Sequence, residues 1–145
     1  MLETLDAIPW STLHHAYGEA SNIPGLMRDL TSPKKAIREA AIWEFYGNVY
    51  HQGTIYSATT FVVPFFLELL EHEQIKNKAD LFNLLDAIAH GSSYFETHAP
   101  TEEQQNSPEF QRWLAEELRS VQAARDAVKF GYKTYLRLLV GSCLD

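Results

Sequence analysis

The stretch "HQGTIY" places an imidazole, an amide, a hydroxyl and a phenol within six positions, as His51, Gln52, Thr54 and Tyr56. "LHHAYG" adds a second imidazole and phenol, His15 and Tyr17. Histidine exchanges protons near neutral pH, and threonine and tyrosine hydroxyls both donate and accept hydrogen bonds. Gathered in one pocket, these groups would suit a hydrolase or a small-ligand-binding protein. Spread along an edge, they would form a polar binding strip or simply end helices. Imidazole favours the negative end of a helix dipole, and Gly53 suits the left-handed position after a helix. "AHG" at 89–91 repeats that arrangement with His90 and Gly91.

Other chemistry finds less in the sequence. Adjacent histidines on a helix point about 100° apart, so His14 and His15 cannot share a metal ion. No histidine pair is spaced by four around a glutamate, and no phosphate-binding glycine loop or nucleophile elbow is present. No metal and no cofactor are therefore expected. Cys143 is the only cysteine, which excludes an internal disulfide and thiolate clusters, and it has no local histidine to activate it. The carboxylates Glu68, Glu71, Glu73, Glu116 and Glu117 read as solvated helix faces rather than an acid/base pair. Trp43, Phe45, Tyr46 and Tyr50 form an aromatic segment. Trp43 and Tyr50, seven apart, fall on nearly one face and could expose a ridge of the kind that anchors protein interfaces.

Helices must position these groups. Leu81, Leu84, Leu85 and Ile88 recur at helical spacing, as do Phe110, Leu114, Leu118, Val121 and Val128. Ile37, Ala40, Ala41 and Phe45 predict a third stripe. Ser32 with Pro33, and Ser107 with Pro108, look like helix starts. The polar stretch before Ser107 reads as a loop with room for one helical turn after Thr101. The expected fold class is all-α. In 145 residues, 46% of them hydrophobic, one domain with a real core is expected. Lys and Arg number 12 against 19 Asp and Glu, a net charge of −7. That balance disfavours nucleic acid and favours a basic partner. The N-terminus lacks a signal-peptide pattern and "FVVPFF" is too short to span a bilayer. A cytoplasmic protein is expected, with no membrane partner.

A repeat organises the chain. "IPGLMRDL" and "VPFFLELL" carry prolines at 24 and 64, with Leu30 matching Leu70, and "TYLRLL" at 134–139 is a third copy. A period near 40 with two helices per period falls in the HEAT and armadillo range. "IPGLMRDLTSPKKAIREAAIWEFYGNV" resembles a HEAT repeat, and "HAYG" and "HQGTIYSAT" are similar to stretches of bacterial HEAT-repeat proteins. The resemblance implies a short α-solenoid with repeats near 23–50 and 63–90, an inserted loop at 91–107, a long helix at 108–129 and a terminal half-repeat at 132–145. It also implies a non-enzymatic protein-binding module, with an immunity or regulatory role as one form of it. His15, Tyr17, Trp43, Tyr50, His51, Gln52, Thr54 and Tyr56 are the expected binding residues. Tyr135, Leu136, Leu138 and Leu139 would leave an apolar end face for a partner or a second copy. A nucleic-acid face built from Arg28, Lys34, Lys35 and Arg38 is the remaining alternative.

Overall fold

One helix, α3 (Ser57–Glu71), is apolar almost all round: Ala58, Val62, Val63, Phe65, Phe66, Leu69 and Leu70 are all buried. A helix of that kind belongs at the centre. In this computed structural model, which describes residues 1–98 and 100–141, the helices at 78–90, 108–130 and 132–141 and the strand at 14–15 pack against it. Cys143 lies outside the described residues. The chain is mostly helical. In order it runs through two 3₁₀ turns (Leu5–Ala7, Trp10–Thr12), a hairpin of β1 (His14–His15) and β2 (Gly18–Glu19), α1 (Ile23–Asp29) and α2 (Lys35–Asn48). A second hairpin, β3 (Tyr50–His51) and β4 (Thr54–Ile55), leads into α3. Then come α4 (Lys78–His90), the short α5 (Tyr94–Thr97) and α6 (Glu102–Gln105), the long α7 (Pro108–Phe130) and α8 (Tyr132–Gly141).

Several expectations hold in place. Ser107 caps α7, its Oγ accepting the N–H of Phe110 at 3.0 Å, with Pro108 in the first turn. Thr101 starts the helical turn α6, and all four members of the Leu81–Ile88 stripe are buried. Others shift. Pro64 lies inside α3, which begins at Ser57 rather than at "VPFF", while Pro24 sits in the first turn of α1. At Pro64 the carbonyl of Thr60 loses its helical donor. The helix after "TSP" begins at Lys35, because Ser32 Oγ accepts the N–H of Lys34 in the turn before it.

The inner face of α2 is rotated from the Ile37 stripe. Arg38, Ala41, Ile42, Phe45 and Asn48 are buried, while Ile37 and Ala40 are exposed. Arg38 explains the rotation. Its Nε donates to Asn77 Oδ1 at 2.7 Å, and Nη1 donates to the carbonyls of Ser32 at 2.8 Å and Pro33 at 3.0 Å. The guanidinium thus ties the α1–α2 turn to the start of α4. Gly91 has φ −66°, so it does not occupy the left-handed region after α4. Among the described residues, no helix is long and apolar enough to cross a membrane.

Candidate functional site

The two hairpins, rather than helix ends, hold the "HQGT" and "HHAYG" residues. Gln52 and Gly53 have φ of 51° and 88°. Two successive positive values make a type I′ turn, whose twist matches that of a two-residue hairpin. His51 therefore pairs with Thr54, and Tyr50 with Ile55. In the first hairpin His14 pairs with Glu19 and His15 with Gly18, where Gly18 takes φ 118°. The N–H of Ala16 donates to the carbonyl of Asn48 at 3.0 Å, seating this hairpin on the end of α2 beside the second.

That seating brings Tyr17 and His51 together. Their rings meet edge to face with centroids 5.4 Å apart, and the Tyr17 hydroxyl lies 3.4 Å from His51 Nδ1. Tyr17 covers Gly47, where a Cβ would stand 3.7 Å from its ring. Trp43, one helical turn before Gly47 on the same face of α2, is 78% exposed, and Tyr17 is 70% exposed. Together Trp43, Tyr17 and His51 form a crest.

His15 lies beneath it, buried, with both ring nitrogens engaged. Nδ1 accepts the N–H of Tyr17 at 3.1 Å, which leaves the proton on Nε2 to donate to Asn22 Oδ1 at 2.9 Å. His15 is a pin that fixes the hairpin, with no nitrogen left for proton transfer. Thr54 is also buried, and its strand is held to the segment after α4: Ile55 N–H donates to Ser92 O and Ser92 N–H to Gly53 O, both at 2.8 Å. Tyr50 packs against the core instead of sharing a ridge with Trp43, because α2 ends at Asn48 and the chain turns into β3. Gln52 stands exposed at the turn.

On the other side of the hairpins lies a cleft of about 730 Å³, bordered by His14, Ile55, Tyr56, Tyr94, Phe95, Trp113 and Glu117 among others. Tyr56 follows β4 directly and borders the cleft. Burial raises its phenol pKa, Thr54 offsets this through a hydrogen bond, and Glu117, Tyr17 and Tyr94 add smaller charge effects. Thr59 holds Tyr56 at the start of α3: the Tyr56 N–H donates to Thr59 Oγ1 at 3.0 Å, and that hydroxyl donates to Val49 O at 2.7 Å. Tyr94 and Phe95 are set by a capping box, in which Ser93 Oγ accepts the Glu96 N–H and Glu96 accepts the Ser93 N–H. Phe95 then packs on Phe110 of α7, centroids 4.7 Å apart.

Glu117 is the group that sequence reasoning missed. The inner face of α7 is formed by Phe110, Val121, Ala124 and Val128, and Leu118, placed in the stripe by spacing, is exposed. Steps of four and three lead from Phe110 through Leu114 to position 117 and on to Val121. A carboxylate therefore sits in an apolar register, and that interruption was the available signal.

Burial raises the pKa of Glu117, hydrogen bonds from the Phe95 and Tyr94 backbone and from Ser93 pull it back, and Glu96 pushes it up again. The Phe95 N–H lies 3.3 Å from Oε2. Among the described residues no lysine or arginine pairs with Glu117. With a folded pKa above the unfolded one, the ionised carboxylate is a stability deficit at neutral pH. The deficit is relieved as pH falls through the raised folded value. Glu117→Gln is thus expected to melt at a higher temperature than wild type at neutral pH, with the gap closing at about pH 4, near the ordinary glutamate range. Thermal melts at both pH values check this, and a variant that melts lower at neutral pH contradicts it.

Of Arg28, Lys34, Lys35 and Arg38, only Lys34 is exposed and outside an ion pair among the described residues. Arg38 is buried, Arg28 pairs with Asp6, and Lys35 pairs with Glu39 at 3.3 Å. Among the described residues no three His, Cys, Asp or Glu side chains converge as a metal site. Comparison of the chain with family models, with curated proteins and with solved structures returned no match.

Proposed function

We propose that the chain is a non-enzymatic protein-binding module that engages its partner through the Trp43–Tyr17–His51 crest. The observation that carries this is the exposure of two large aromatic side chains, Trp43 and Tyr17, on a backbone fixed by His15 and by the Ala16–Asn48 hydrogen bond. Rigid, exposed aromatics supply interface area at little entropic cost, and such residues dominate binding energy. The net charge of −7 favours a basic partner. A hydrolytic role finds less support: both nitrogens of His15 are engaged, and His51 faces a phenol rather than a carboxylate.

The proposed architecture is a short HEAT-like solenoid in which α1–α2 and α3–α4 are successive helix pairs. Supporting it are Leu30 and Leu70, forty residues apart and both buried. An immunity or regulatory role, acting in the cytoplasm, is the biological form that the HEAT resemblance suggests.

Tyr17→Ala combined with Trp43→Ala tests the binding role. Both side chains are largely exposed, so the double variant is expected to fold. Affinity capture followed by mass spectrometry is expected to show recovery of specific partners falling by about thirtyfold or more, as loss of an interface anchor implies. Equal recovery by a folded double variant rejects the crest.

A second reading rests on α8. Phe130, Leu136, Leu139 and Val140 are all exposed, whereas Tyr135 and Leu138 pack inward, Tyr135 lying 5.8 Å from the Phe82 ring. This altered end face would join a second copy of the chain.

A further inference from the structure

The cleft beside the crest has a composition that selects its occupant. Tyr56, Tyr94 and Trp113 bring aromatic rings to its border, and Trp113 is 52% exposed. Glu116 and Glu117 supply carboxylates, and among the described residues His14 is the only basic side chain on its border. The surrounding sequence sharpens this sign. Between residues 93 and 118 stand six carboxylates and one guanidinium, Arg112, so this stretch carries five of the chain's seven net negative charges.

An anion would find repulsion here, and an apolar group would leave the half-buried Glu117 without a counter-charge. A cation satisfies both the carboxylate and the negative faces of the rings. Among cations, a guanidinium fits best, because it is planar, stacks on aromatic rings and offers a fork of donors to a carboxylate.

We infer that the cleft binds an arginine side chain of the partner protein, its guanidinium stacked on Trp113 and hydrogen-bonded to Glu117. This rests on the protein-binding reading above and adds the residue type that the partner must present. The second hairpin links the arginine site to the crest: Ile55 and Tyr56 border the cleft, and Thr54 beside them pairs with His51.

The three tryptophans make the test direct. Trp10 is buried, its Nε1 donating to Leu5 O at 2.7 Å; Trp43 lies on the crest and Trp113 in the cleft. The full chain labelled with ¹⁵N is titrated with the blocked peptide Ac-Gly-Arg-Gly-NH₂, and in parallel with its lysine and citrulline counterparts. The arginine peptide is expected to shift the Trp113 indole resonance saturably, with Kd on the order of 1 mM, while Trp10 stays still. Lysine should bind several-fold more weakly, and citrulline and Glu117→Gln should each weaken binding about tenfold or more.

An unsaturable Trp113 shift overturns the inference, as does a lysine or citrulline peptide that binds as tightly as arginine. So does undiminished binding by folded Glu117→Gln. If the peptide fails while partner capture still depends on Tyr17 and Trp43, only the arginine site falls. If the peptide binds while capture ignores the crest, the crest reading falls alone.

Discussion

Phe66→Ala is expected to lower stability by about 3–5 kcal/mol, the largest effect of any single substitution considered. Phe66 is fully buried at the middle of α3 and meets the fully buried Phe45 of α2 edge to face, with centroids 5.0 Å apart. Truncation removes the transfer energy of a phenyl ring, leaves a cavity and dissolves the aromatic pair. Domains of this size have roughly 5–15 kcal/mol in total, so the variant should retain only a small margin. Urea unfolding checks this through the midpoint at an unchanged slope. A loss below about 1 kcal/mol would mean that α3 is not the central helix.

Arg38→Leu is expected to cost about 3 kcal/mol, from a different cause. The guanidinium is buried and meets only neutral acceptors: the carbonyls of Ser32 and Pro33 and the side-chain oxygen of Asn77. Leucine fills part of the volume but strands three oxygens in a partly buried site, and each stranded acceptor keeps its desolvation penalty. Asn77 also donates to Asp80 Oδ2 at 2.8 Å, so the loss propagates into the first turn of α4. Lysine cannot reproduce the fork, and Arg38→Lys should recover less than half of the lost stability. Amide exchange in residues 78–81 should accelerate in both variants. Wild-type stability in Arg38→Lys would show that charge alone, not bond geometry, matters at this position.

Arg38 also shows where sequence periodicity stops being informative. An amphipathic helix was legible around "IREAA", yet the apolar rule placed Ile37 inside and arginine outside, and the structure does the reverse. Hydrophobic spacing cannot anticipate a charge whose partners are carbonyls of a turn that the fold creates. Similarly, α7 was legible from its cap and its length, while Glu117 was assigned to a solvated face because carboxylates usually lie there.

The hairpins escaped for another reason. Two-residue strands are too short for a period-two pattern, and Gln-Gly signals a type I′ turn less strongly than Asn-Gly. On sequence grounds His51 and Gly53 therefore resemble a helix end. Pro64 misled in the opposite direction, marking a helix start where α3 continues through it. What the residue pattern does expose is the mostly helical class, the α4 stripe and the α7 cap.

Hydrogen exchange on the complex with the captured partner tests most directly whether crest and cleft form one binding face. Protection is expected at 14–19, at 43–57 and along 108–120, with α8 exchanging as in the free chain. Protection confined to α8, or an unchanged pattern across both hairpins, would contradict a partner seated on the crest and would move the interface to the exposed Leu136, Leu139 and Val140.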